Sequence, residues 1–122
     1  MSVIIEFHGN IALIKLSGAL DYSTQNEIQV GFTQALSAEN VTELEVDFTE
    51  VKFLDSSIIR ALFMLQTKVK TDGKSLVLMN CSDPVLLIFE IGGFDAMFTI
   101  RRQSHTPHNS QTKPPGSRGN LP

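Results

Sequence analysis

The stretch from Val46 to Phe63 constrains the fold more than any other part of the chain. Val46-Asp47-Phe48-Thr49-Glu50-Val51-Lys52-Phe53-Leu54 reads as a strand, and from Ile58 onward apolar side chains recur at helical spacing. A short polar step, Asp55-Ser56-Ser57, lies between the two. Residues of these types are favoured where loop becomes helix, because a side-chain oxygen can accept from the unpaired N–H groups of the first turn. The same place suits an anion, since the free donors and the positive end of the helix dipole point at one spot. A hydroxyl there can carry a phosphate at modest local cost. Position alone favours the plainer reading, in which Ser56 or Ser57 is an N-cap only.

The helix that starts here runs from about Ser56 to Thr71 and stops at Asp72-Gly73. Ile59, Leu62, Phe63 and Val69 form one apolar stripe, and Ile58, Ala61, Met64 and Leu65 extend apolar surface past it. A helix lying on a sheet buries one stripe. The surplus implies either burial on two sides or an exposed patch kept for a partner. Ile58, Met64 and Leu65 are expected to be more exposed than Ile59, Leu62 and Phe63.

The rest of the chain alternates strand and helix signals. Val3–Phe7 and Ile11–Leu16 flank the turn signal His8-Gly9-Asn10 and predict a β-hairpin, with His8 a solvated loop residue. A first helix is expected over about Thr24–Ala38, capped by Asp21 or Ser23, with Ile28, Phe32, Ala35 and Leu36 on one face. Glu43–Phe48 alternates strictly, which fits a half-exposed strand or an edge strand. Ser75–Asn80 predicts a short strand. Ser82-Asp83-Pro84 opens a third helix that ends at Gly92-Gly93, and Ala96–Ile100 predicts a last strand.

Charge divides the chain unevenly. Four of the ten bases, Arg101, Arg102, Lys113 and Arg118, follow the last acid, Asp95. Six bases against thirteen acids precede them, a balance of −7. Nucleic acid is a poor partner for such a body, because phosphate contacts need Lys and Arg. Residues 102–122 are rich in Ser, Thr, Pro, Gly, His and Gln, with Leu121 the only large apolar side chain. They cannot bury enough apolar area to offset the entropy of ordering, so a disordered basic and polar tail is expected. The single cysteine, Cys81, excludes an internal disulfide and is expected to be buried. The N-terminus has no signal-peptide pattern, and no apolar run approaches the ~18–20 residues of a membrane helix. A soluble cytoplasmic protein with no membrane insertion is expected. The sequence lacks a nucleophile elbow, a glycine-rich phosphate loop and metal-ligand spacing. No enzyme activity, cofactor or metal is therefore expected. Convergence of Asp21, Asp47 and Asp55 on a divalent ion is a minor alternative.

Two motifs carry a resemblance. Phe53-Leu54-Asp55-Ser56-Ser57, after Asp47-Phe48-Thr49-Glu50-Val51, resembles the signature of STAS domains, the bacterial anti-sigma factor antagonist family. Leu16-Ser17-Gly18-Ala19-Leu20-Asp21 resembles the family's upstream motif, and order and spacing fit over roughly residues 3–100. The resemblance implies an α/β STAS fold over residues 1–101, a mixed sheet of about four to five strands with helices mostly on one face. It implies a phosphorylation-switched interaction module in signal transduction and transcription regulation, with the phosphate on Ser56. The partner surface is expected around Asp21, Asp55, Ser57, Ile58, Arg60, Met64 and Leu65. The implied partners are a serine kinase/anti-sigma factor with a histidine-kinase-like ATPase fold, and a PP2C-type phosphatase. The family usually has glycine after the serine pair and often a small residue two positions on; Ile58 and Arg60 stand there. The alternative function is a non-switching STAS subunit of a lipid-transport ABC complex, in which Ser56 is a cap only.

Overall fold

The computed structural model describes residues 2–101. Five strands form one sheet in the order β1-β2-β3-β4-β5: β1 Ser2–His8, β2 Ile11–Leu20, β3 Glu43–Leu54, β4 Ser75–Met79 and β5 Thr99–Arg101. The expected hairpin is present. β1 and β2 pair antiparallel from Ser2↔Ser17 to His8↔Ile11 around Gly9, whose φ of 62° the tight connection requires. His8 ends β1, where its ring lies 3.1 Å from Glu6 Oε1. β2, β3, β4 and β5 then run parallel. Parallel neighbours need a crossover, and three helices supply them: α1 Gln25–Ser37, α2 Ser56–Thr71 and α3 Asp83–Ile91.

All three helices lie on one side of the sheet. Ile28, Phe32 and Ala35 of α1, the buried residues of α2, and Val85 and Phe89 of α3 share one core. The strands contribute Ala12, Ile14, Leu16, Leu44, Val46, Phe48, Leu76 and Leu78 to it. These strand residues alternate along the chain, so they face one side of the pleat. The Phe48 and Phe89 rings meet edge to face, with centroids 6.4 Å apart.

β3 departs from the sequence expectation. It is a central strand, paired with β2 along most of its length and with β4 over Glu43–Asp47. Its charged alternate positions are not all solvated, since Glu45 is fully buried. The C-terminal strand also differs. A 3-10 turn occupies Asp95–Met97, and β5 begins at Thr99. Phe98 explains the shift: its buried ring sits 4.9 Å from Phe63 and 5.9 Å from Phe89, which anchors the chain just before β5.

α2 carries the main correction. Ile58 is 0% exposed and Leu65 3%, whereas Met64 is 48% exposed. Ile58, Ala61, Leu62, Leu65 and Val69 form the buried stripe, and Phe63 flanks it, half-buried against Phe94 and Phe98. α2 packs on the sheet, on α1 and on the Phe94–Phe98 segment, so the first of the two readings of its surplus apolar residues holds for Ile58 and Leu65. Cys81 is half-buried, and burial, with Asp47 nearby, pushes its thiol up to about 12. The expected tail at 102–122 lies outside the described residues.

Candidate functional site

The site lies where β2 and β3 end side by side. Their register closes on Leu20↔Leu54, so the next residues, Asp21 and Asp55, leave the sheet as neighbours. The C-terminal ends of parallel strands are the usual place for sites in α/β sheets. The register slips twice before this point, between Lys15 and Ser17 and between Gly18 and Ala19. Gly18 has a φ of 91°, a backbone state that side chains oppose, which is the physical reason for a glycine in that motif.

Each aspartate caps a helical turn. Asp21 precedes the 3-10 turn Tyr22–Thr24; its Oδ1 accepts from the Ser23 N–H at 3.0 Å, and its own N–H donates to Thr24 Oγ1 at 3.0 Å. Asp55 caps α2 from an extended backbone, φ −107°. Its Oδ1 accepts from the Ser57 N–H at 2.9 Å and from the Ser57 hydroxyl at 2.5 Å. Its Oδ2 accepts from the Tyr22 N–H at 3.2 Å, which ties the two loops together. The Ser57 hydroxyl first, and then the backbone N–H groups of Ser57, Ile58 and Tyr22, hold the Asp55 carboxyl below its usual range despite some desolvation.

This network separates the two serines. Ser57 is half-buried and its hydroxyl is committed to Asp55. Ser56 is exposed, occupies the first position of α2, and its hydroxyl has no partner among the described residues. Ser56, Arg60 and Met64 follow one another four residues apart and are all exposed, so they form one outward ridge. Tyr22 and Phe53 add exposed aromatic surface at the same end. Sequence reasoning missed both; the available signal was an aromatic residue directly after the Asp21 cap and another two positions before the Asp55 cap.

Of the residues expected to meet a partner, Asp21, Asp55, Ser57, Arg60 and Met64 lie at or beside this end or on the ridge. Ile58 and Leu65 point into the core instead. Asp47 does not join the aspartate pair. It stands opposite Lys15 and Met79 in the sheet, and its Oδ1 accepts from the Thr49 N–H and from Asn80 Nδ2. Among the described residues, no group of three or more His, Cys, Asp or Glu side chains is arranged to hold a metal ion. No helix among them is long and apolar enough to cross a membrane.

Comparison with known proteins converges on one family. A family model described as STAS domain matches residues 2–106. An anti-sigma F factor antagonist of Paenibacillus polymyxa is 18% identical over 100 residues, spanning 82% of this chain and 86% of that one. The anti-sigma factor antagonist SpoIIAA in its unphosphorylated form superposes with a TM-score of 0.69 at 21% identity, over 81% of this chain and 87% of the other. The Bacillus cell fate determinant SpoIIAA in its phosphorylated form gives 0.63 at 20% identity, over 81% and 90%. At these identities the superpositions establish the fold. The names of these relatives are those of regulatory antagonists, not of enzymes.

Proposed function

The chain belongs to the STAS domain family, and from that membership we propose that it is a phosphorylation-switched interaction module resembling an anti-sigma factor antagonist, with Ser56 as phosphoacceptor. One observation carries the reading. The Ser56 hydroxyl is exposed and unpartnered among the described residues, while the adjacent Ser57 hydroxyl is held by Asp55. In its unmodified form the chain binds a cytoplasmic serine kinase/anti-sigma partner with a histidine-kinase-like ATPase fold. The partner phosphorylates Ser56 and lets go, and a PP2C-type phosphatase restores the binding form. Catalysis belongs to the partners.

The local chemistry supports such a switch. A phosphate adds about −1.5 to −2 charge at neutral pH. At Ser56 the helix dipole and the first-turn N–H groups stabilise it, so α2 keeps its structure. Beside it stands the Asp55 carboxylate, which its hydrogen bonds keep ionised. A docking partner therefore meets a doubled negative site. Arg60, one turn on along the same ridge, is drawn to the phosphate and is no longer offered to the partner. Ile58 replaces the family's glycine without obstructing the approach, because its side chain is in the core. Arg60 and Met64 are then the ridge positions that set partner choice.

The test compares partner affinity between the unmodified chain and a chain carrying installed phosphoserine at 56. Phosphoserine is expected to weaken binding at least about tenfold, or about 1.4 kcal/mol. Ser56→Ala is expected to stay bound in the presence of ATP, and Ser56→Asp to release partly, as a carboxylate carries less charge than a phosphate. Equal affinity of both forms contradicts the switch. A membrane ATPase held regardless of ATP points instead to the fixed ABC-complex subunit.

A further inference from the structure

β1 forms one edge of the sheet and β5 the other. An open edge presents a row of unpaired N–H and C=O groups, and proteins usually blunt it with a short strand, a lysine, a proline or a bulge. β5 is blunted by its length of three residues. β1 has seven residues, no lysine, no proline and an unbroken register. Its one carboxylate, Glu6, is engaged by Lys15 at 3.1 Å. Among the described residues, no strand pairs with the outer side of β1. Along that side runs a groove between β1 and α1, lined by Val3, Ile5 and Phe7 from the strand and by Glu27, Val30 and Gln34 from the helix. Phe7 is 54% exposed and Val30 52%.

We propose that this edge is a two-fold interface with a second copy of the chain, β1 pairing antiparallel with β1 of the other copy. The placement of α1 selects that occupant. α1 packs on both β1 and β2, so its axis lies over the seam between them. Neighbouring strands are about 4.8 Å apart, which sets that axis about 2.4 Å inside β1 and the two-fold about 2.4 Å outside it. The two α1 helices then stand about 10 Å apart, within the ~8–10 Å at which helices pack. The midpoints coincide as well. Ile5 is the middle of β1 and Gly31 the middle of α1, and a Cβ added at Gly31 would lie 2.7 Å from Val3 Cγ1 and 3.9 Å from Ile5 Cδ1. One axis therefore centres the strand pair and the helix pair together. It sets Val3 against Phe7 of the other copy, Ile4 against Glu6, and Glu27 beside Gln34, so no carboxylate meets its own mate. The footprint is about 23 Å of strand by about 20 Å of sheet and helix, ~460 Å² on each copy. The two together approach the ~1,000 Å² of a specific contact, which fits a reversible dimer. A foreign strand can pair with the same edge, but it brings no second helix to cover Val30. α2 flanks α1 on the side away from β1, so the Ser56 ridge stays free and the proposal is independent of its phosphorylation.

Sedimentation equilibrium of the full chain tests it. Between about 1 and about 500 µM the mass is expected to rise from one chain toward two. Val30→Asp sets like charges across the axis, and Phe7→Lys blunts the edge. Both positions are exposed, so far-UV circular dichroism is expected to be unchanged while each variant weakens the dimer at least about tenfold. Leu87→Asp, at an exposed position on α3, is expected to change it by less than about twofold. In oxidising buffer, Val30→Cys is expected to cross-link between copies at least about tenfold faster than Leu87→Cys, since only position 30 lies near the axis. A single-chain mass at every concentration overturns the proposal. So does a dimer that withstands both Val30→Asp and Phe7→Lys, or one that Leu87→Asp weakens as much as they do. Equal cross-linking rates at positions 30 and 87 overturn it too.

Discussion

Ile58→Ala separates a core residue from a docking residue. Ile58 is fully buried at the first turn of α2, in the stripe that continues through Leu62 and Leu65. The substitution removes three carbons from a dry site. At about 0.8 kcal/mol per buried CH₂ the transfer loss is about 2.4 kcal/mol. The cavity left behind brings the total to about 3–4 kcal/mol, because neighbours on the sheet and on the helix collapse only in part. Met64→Ala removes a side chain that is 48% exposed and is expected to cost under about 1 kcal/mol. Equilibrium urea unfolding measures both. With m unchanged at about 2 kcal/mol/M, the midpoint of Ile58→Ala falls by about 1.5–2 M and that of Met64→Ala by less than about 0.5 M. Partner binding is expected to reverse the order, with Met64→Ala the weaker binder and folded Ile58→Ala close to the parent. Equal destabilisation by the two substitutions refutes the burial argument and returns Ile58 to the surface.

Asp55→Ala removes the α2 cap and the acceptor for the Tyr22 N–H, at an expected cost of about 0.5–2 kcal/mol in urea unfolding. The folded state depresses the Asp55 carboxyl from its ordinary value near 3.8, so its stabilising contribution is complete above that value and is lost as pH falls through the lower folded value; Asp55→Asn is expected to flatten that part of an acid titration followed by circular dichroism. Cys81, with its thiol near 12, is expected to carry on the order of a thousandfold less thiolate at neutral pH than a free cysteine, and to alkylate slowly until the chain is unfolded in denaturant. Gly18→Ala forces a side chain into a φ of 91° and is expected to cost about 1–3 kcal/mol in thermal or urea unfolding, with a neutral result contradicting strain at the bulge.

The hairpin, the three helices and the Asp55-Ser56-Ser57 start of α2 were legible because each rests on local rules: turn residues, 3.6-residue periodicity and capping chemistry. The α2 bounds expected from the sequence coincide with those observed, since Asp55 and Asp72-Gly73 are strong start and stop signals. What failed was inference about which surfaces are covered. Glu43, Glu45 and Asp47 read as a wet face, but period-2 alternation says only that side chains alternate sides, and Glu45 is buried. The same limit placed Ile58 and Leu65 on a partner surface, because contacts from α1 and from Phe94–Phe98 come from distant sequence. Ser56 and Ser57 could not be told apart by residue type either. Their difference lies in which hydroxyl the Asp55 carboxylate holds, a matter of side-chain geometry.

Phosphopeptide mapping tests the central claim most directly. The chain is incubated with ATP and an extract of the cells that produce it, then digested, and the phosphate is located by fragmentation mass spectrometry. The account predicts phosphate on Ser56, absent in Ser56→Ala and retained in Ser57→Ala. Phosphate on Ser57 with Ser56 unmodified, or none on either serine while the partner stays bound in ATP, contradicts it.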